Sequence, residues 1–321
     1  SEITRESLLV YWGLLKIIVP VMVIVEIAMR FGIVEIISRW CEPVMNLVGL
    51  PAETAVILAT NLLVGLYGAA AALITLAPNL DLTVADMTVL GGILLFVHAL
   101  PMEQIIVKKT GVSLTFSLFT RLLAAIIYGW LLHVIFTTFD LFDDPANILI
   151  SIETASSDTS WIGWIKTSVL GLFGIFWILF FMITLLKILD LTGITGKITK
   201  LLTPGLKLLG IGPNAAPLAM IGILLGLAFG GALILREIKK GHLQPRSIFL
   251  SIIFMGFCHS LIEDTLIIMA FGGHWSGVLI ARVLISLLLM APVSFMVLKM
   301  SDHTFNRYLY KSSKKPALPD E

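Results

Sequence analysis

The chain has 321 residues, of which 58% are hydrophobic and 13% charged, and its mean hydropathy of +0.99 lies outside the range of soluble domains. Twenty-two Lys and Arg oppose 21 Asp and Glu, a net charge of +1, so no basic surface able to neutralise a nucleic-acid backbone is expected. Its two cysteines, Cys41 and Cys258, are too far apart in sequence to suggest a disulfide framework or a CxxC metal ribbon, and are read as small packing residues.

The apolar runs suit helices crossing a hydrocarbon core of roughly 30 Å, which takes about 20 residues each, and the alternation of a membrane barrel is absent. An all-α integral membrane protein is predicted. The first run, Leu8 to Met29, is too long for a signal peptide and lacks a small-residue cleavage site, so it reads as a span. The amphipathic stretch "IVEIISRWCEPVMNL" follows and is expected in the membrane interface. Further apolar segments run from Ala55 to Ala77, Met87 to Val107 and Ser113 to Phe136. Beyond the polar segment "DLFDDPANILISIETASSDTSW" come Lys166 to Leu189, a second amphipathic stretch "ITGKITKLLTPGLKLL", then Ala215 to Leu235, Ser247 to Ala270 and Gly277 to Leu298. The tryptophans fall largely near span boundaries, as an interfacial belt would, and Lys16, Glu26, Lys166 and Lys187 are placed to snorkel from span ends.

A gapless shift of 161 residues superposes unusual positions: Gly13 on Gly174, Gly32 on Gly193, Pro43 on Pro204, Gly49 on Gly210, Gly65 on Gly226, His98 on His259, Gly111 on Gly272 and Arg121 on Arg282. Shared apolarity alone does not align glycine, proline, histidine and arginine, so the chain reads as a tandem repeat. Matched loops differ in charge. "PNLDLTVAD" is acidic and its counterpart "REIKKGHLQPR" basic, and the exit with Asp140, Asp143 and Asp144 matches one holding Arg307, Lys311, Lys314 and Lys315. Because Lys and Arg stay on the cytoplasmic side, matched loops are expected on opposite faces.

Inversion needs an odd number of crossings per half, whereas each half has four apolar segments. The second of each, "AVILATNLLVGLYGAAAALITLA" and "APLAMIGILLGLAFGGALIL", has a small-residue centre where a re-entrant hairpin could turn, provided protein or a water-filled cavity covers it. Close packing of small residues in crossing helices would leave the same pattern; the charge inversion favours hairpins. The expected architecture is two inverted-topology repeats, 1–144 and 164–321. Each would have about three crossing helices, a re-entrant hairpin and an interfacial amphipathic helix. The linker 145–163 is expected outside, and both termini on the cytoplasmic side of a bacterial inner membrane.

Ionisable groups within spans are costly and mark a pathway or a pair. Here they are His98, Glu103 and Arg121 with polar Asn61 and Gln104, and His259, Glu263, Asp264 and Arg282 with Ser260 and Thr265. "HALPMEQ" aligns with "HSLIEDT", so Glu103 matches Asp264. A histidine and a carboxylate can relay protons. His98, Glu103, His259, Glu263 and Asp264 could instead ligate a divalent metal. Alternatively, Glu103 pairs with Arg121 and Asp264 with Arg282, fixing helix register; unpaired arginines would favour an anionic substrate. Pro101 is expected to open its helix by freeing the carbonyl of Val97 beside His98, whereas Ile262 stands at the matching position.

No HExxH, GxSxG, Walker A or kinase signature is present, so no enzyme and no cofactor are expected, and secondary transport remains. The stretches "CEPVMNLVGLPAETAVILATNLLVGLYGAAAALITL" and "LTPGLKLLGIGPNAAPLAMIGILLGLAFGGALIL" resemble the Gate, or nucleoside-recognition, domain. That domain occurs in concentrative nucleoside transporters, in the membrane part of ferrous iron transporter B and in spore-maturation membrane proteins. The 321 residues contain neither the GTPase domain of the iron family nor the full acidic and glutamine motifs of the nucleoside family, so the resemblance carries no substrate. It implies inverted repeats with a substrate route between the halves. By position, Asn61, Gly65 and Gly68 of one hairpin and Gly222, Gly226 and Gly230 of the other would form the floor of that route.

The leading expectation is a secondary transporter of a small polar or anionic solute, working by alternating access and coupled to protons through His98 and His259. The alternatives are a divalent-metal permease and a membrane scaffold in which the polar cluster only specifies packing. Expected partners are the solute and the lipid bilayer, and the chain is compatible with a homo-oligomer.

Overall fold

The structure, a computed structural model, describes residues 2–147, 160–212 and 215–311. Most of the linker, 148–159, and Lys314 and Lys315 of the basic C-terminal stretch lie outside the described residues. Among the described residues the chain is helical, without strands. The helices are α1 (Glu2–Arg30), α2 (Ile33–Leu47), α3 (Thr54–Val64), α4 (Leu66–Leu76), α5 (Val84–Val97), α6 (Leu100–Lys109) and α7 (Leu114–Thr138). They continue with α8 (Trp161–Leu191), α9 (Ile194–Leu208), α10 (Ala216–Lys239), α11 (Pro245–Phe257), α12 (Glu263–Ala270), α13 (Arg282–Lys299) and α14 (Asp302–Tyr308).

Among the described residues four stretches are long and apolar enough to cross a membrane: Tyr11–Arg30, Val84–Lys109, Leu114–Thr138 and Ser276–Lys299. Trp12, Ile24, Phe119, Leu284, Leu288 and Phe295 on these stretches are each more than 60% exposed, a surface suited to lipid rather than water. Lys16 and Lys166 are exposed as snorkelling requires, but Glu26 is buried and accepts from Arg30 Nε at 2.6 Å, with the Arg30 guanidinium over the Trp161 ring. It is an internal ion-pair member, not an interfacial anchor.

The chain forms two compact units, and each draws on both sequence halves. The first comprises Ser1–Leu100, Ala125–Thr192 and Ile262–Arg282; the second comprises Pro101–Ala124, Gly193–Leu261 and Val283–Glu321. In the first unit α5 is the central helix, with every residue from Met87 to Val97 buried. Its glycines let neighbours approach: a Cβ on Gly91 would meet Ile268 of α12, and one on Gly92 would meet Tyr128 of α7, whose hydroxyl donates to the carbonyl of Gly277. The start of α5 is fixed by a capping box between Thr83 and Asp86. In the second unit α11 has the same role, buried from Ile248 to Phe257. Phe249 packs on Phe116 and Phe305, and Phe305 stacks on Tyr310.

Left-handed backbone recurs at positions 161 residues apart. Gly32 and Gly193 both have φ +69, Gly49 and Gly210 have +69 and +73, and Gly111 and Gly272 have +91 and +92. The recurrence includes two non-glycine residues, Ala99 at +45 and Ser260 at +46, and each follows a histidine.

Gly49 and Gly193 separate two costs. An alanine at either is strained by about 1–2 kcal/mol in the left-handed region, but nothing lies within 4 Å of a Cβ on Gly193, whereas one on Gly49 would lie 2.0 Å from Nδ1 of His133. Gly49→Ala is therefore expected to cost a further 1–3 kcal/mol or so from overpacking. Thermal melts of the two purified variants check this, and equal losses would remove the His133 contact from the account.

Candidate functional site

Each unit contains two interrupted helices packed break against break. In the first unit α3 ends and α4 begins at Gly65, whose φ of +105 and ψ of −174 no side-chain-bearing residue adopts easily. A Cβ there would meet Ala99 at 3.2 Å, the residue at which α5 gives way to α6. Gly68 of α4 lies against Thr60 and Val64 of α3, eight and four residues earlier. In the second unit the break is at Gly226 of α10, with φ +77 and ψ 170, and a Cβ there would lie 2.3 Å from Oγ of Ser260, between α11 and α12.

An interrupted helix exposes backbone groups that must find partners when buried. Asn61 supplies two in the first unit. Its carbonyl accepts from the N–H of Ala99 and of Gly65, both at 2.9 Å, and its Nδ2 donates to the carbonyl of Leu94 at 3.0 Å. Arg282 Nη2 donates to the next carbonyl, Leu95, at 3.2 Å. In the second unit the carbonyl of Gly222, the counterpart of Asn61, accepts from the N–H of Ser260 at 3.3 Å, and that of Ile223 from Leu261 at 2.8 Å. Gly222 has no side chain to reach the carbonyl of Met255, the counterpart of Leu94; Nδ1 of His259 donates to it at 2.7 Å.

The histidines pair across the sequence halves. In the second unit Glu103, 1% exposed, is bound on both oxygens: Oε2 by Nη1 of Arg121 at 2.5 Å and Oε1 by Nε2 of His259 at 2.9 Å. Since the Met255 carbonyl can only accept, Nδ1 of His259 carries a hydrogen. The Nε2···Oε1 contact becomes a hydrogen bond when either the ring or the carboxylate takes up a further proton. In the first unit Nε2 of His98 lies 3.8 Å from Oδ2 of Asp264. Beside it the hydroxyl of Tyr67 donates to Oε1 of Glu263 at 2.8 Å.

Of the residues singled out from the sequence, Asn61, Gly65, Gly68, His98, Glu263, Asp264 and Arg282 fall in the first unit. Glu103, Gln104, Arg121, His259, Ser260, Gly222, Gly226 and Gly230 fall in the second. Gln104 Nε2 donates to Ser117 at 3.2 Å. The Glu103–Arg121 pairing expected inside the first repeat is present; the cross-half histidine pairs are additional. The break beside His98 does not depend on Pro101, because the same break occurs beside His259, where Ile262 occupies the matching position. Tyr67 was not marked by the sequence, because its position immediately before the small-residue run 68–72 gave no polar pattern to notice. Oδ1 of Asn61, Oε1 of Gln104 and Oγ1 of Thr265 are buried acceptors with no hydrogen-bond partner among the described residues.

Apolar outer surfaces, helices broken in mid-course and ionisable groups buried at the breaks define a polytopic helical membrane protein of the discontinuous-helix class. The chain belongs to the Gate family, described as nucleoside recognition, which matches residues 11–138 and 172–275. It is similar to the membrane protein YvoD of Bacillus subtilis (strain 168), with 25% identity over 311 residues that cover 96% of this chain and 95% of that one. No solved structure matches the chain significantly.

Removing one member of a buried ion pair strands the other, at a cost of about 3–5 kcal/mol, whereas replacing both is far milder. Glu103→Gln is therefore expected to lower the melting temperature sharply. The double variant Glu103→Gln/Arg121→Met should recover much of the loss, and additive losses in a double-mutant cycle would deny the coupling.

Proposed function

We propose that the protein is a secondary membrane transporter that moves a small polar solute by alternating access, with proton coupling through the histidine–carboxylate pairs. The observation that carries this reading is the break-on-break packing in each unit, with His98 and His259 at the interruptions. Interrupted helices place turned backbone and polar side chains at mid-depth, where a transporter binds its substrate and coupling ion. Within the first unit, the buried acceptors on Asn61 and Thr265 suit a solute rich in hydrogen-bond donors. The family description makes nucleosides the first solutes to test. With Arg121 bound to Glu103, one of the two arginines that argued for an anion is already neutralised, which favours an uncharged polar solute.

On this reading 1–144 and 164–321 are inverted repeats, with α3–α4 and α10 as re-entrant hairpins. At 11 residues each, or about 16 Å, α3 and α4 are individually half the length of a span. The acidic linker faces outward, and both termini face the cytoplasm of a bacterial inner membrane. Single cysteines at the exposed Asp81 and Lys240 are expected to react with an impermeant thiol reagent from opposite sides. Labelling from one side only would end the inverted arrangement.

Transport itself is tested in proteoliposomes with an imposed pH gradient, offering labelled nucleosides, small carboxylates and divalent cations in turn. One class should accumulate in a gradient-dependent way. His98→Gln/His259→Gln is expected to lower that uptake at least tenfold while the protein still elutes as a folded species. Unchanged uptake in the double variant would remove the histidines from the mechanism, and absence of uptake of every class would favour a scaffold.

A further inference from the structure

The interfacial helix α9 differs from its repeat counterpart α2 in a way that packing does not explain. Lys197, Lys200 and Lys207 are all exposed, and residues 194–208 contain no acidic residue. At 100° per residue the three lysines lie within an arc of roughly 80°. Leu201 and Leu208, 79% and 88% exposed, continue that arc on one side, while Leu206, about opposite, is buried. The outward face of α9 thus has a cationic edge and an apolar edge. On α2 the positions matching the lysines are Ile36, Arg39 and Asn46. Its outward face carries Ile36, Trp40 and Val44, with Glu35 and Glu42 outnumbering Arg39. Both helices can lie in an interface, but only α9 complements negative charge. The end of α10 and the residue after it, with Arg236, Lys239 and Lys240 all exposed, add positive charge within the same unit.

We infer that α9 is a binding surface for anionic phospholipids of the bilayer, with headgroup phosphates held by Lys197, Lys200 and Lys207 and acyl chains lying against Leu201 and Leu208. Lysines at a membrane surface snorkel their ammonium groups to headgroup level while their stems remain apolar, so the two edges serve one lipid. The inference is independent of what the protein transports.

The test uses the full-length protein in detergent micelles, titrated with phosphatidylglycerol or phosphatidylcholine and read by native mass spectrometry and thermal melting. Wild type is expected to bind and be stabilised by phosphatidylglycerol in preference to phosphatidylcholine, with the preference falling at high salt. Lys197→Gln/Lys200→Gln/Lys207→Gln should weaken phosphatidylglycerol binding by about 100-fold, at about fivefold per lysine, and leave the melt in phosphatidylcholine unchanged. Replacing the three lysines by Arg should keep the preference, and Arg39→Gln on α2 should leave it intact. Wild-type preference in the Lys→Gln triple variant, or equal binding of the two lipids by wild type, would overturn the inference.

Discussion

The need to satisfy backbone groups freed where helices stop inside an apolar protein governs the arrangement of both units. A helix interrupted in a low-dielectric interior leaves donors and acceptors that cost several kcal/mol each if unpartnered. Here one interruption answers another. The carbonyl at the end of α3 takes the N–H at the start of the turn between α5 and α6, and the equivalent exchange joins α10 to the turn after α11. The close approach this requires explains Gly65 and Gly226, and it holds Ala99 and Ser260 in a left-handed conformation that neither residue type favours.

The polar side chains follow from the same constraint. Asn61, Arg282 and His259 first supply hydrogen bonds to helix ends, and only then are they available for chemistry. Glu103 is needed beside His259 and Arg121 because two nitrogen-bearing groups turned toward one buried point require a counter-charge. A packing role and the proposed proton-handling role therefore rest on the same atoms.

Much of this was legible in the sequence wherever residue type carries the signal. The coincidence of His98 with His259 and of Gly65 with Gly226 located both interruptions, and the buried carboxylates stood out against an apolar background. The histidines and carboxylates of both halves could be grouped from the sequence as one candidate metal set, but which histidine meets which carboxylate was not legible, because alignment gives matching positions and not the partners that they find. The interruption of Met87 to Val107 was tied to Pro101, although it arises from tertiary contact at His98 and Ala99; hydropathy averaged over a span does not register a single turned residue. Glu26 was misread for a related reason, since distance from a span end does not reveal which face of α1 is covered.

The use of Asn61 at one helix-end carbonyl and of His259 at the matching one has a consequence for how the two interruptions respond to protons. Both groups donate one hydrogen bond to matching carbonyls, Leu94 and Met255, so the two interruptions keep the same shape. An amide keeps its charge under all physiological conditions, whereas an imidazole can change it. The two interruptions are therefore geometrically alike and chemically unequal: at the first the helix-end carbonyl is held by a group that stays neutral, at the second by one that is able to take up a proton.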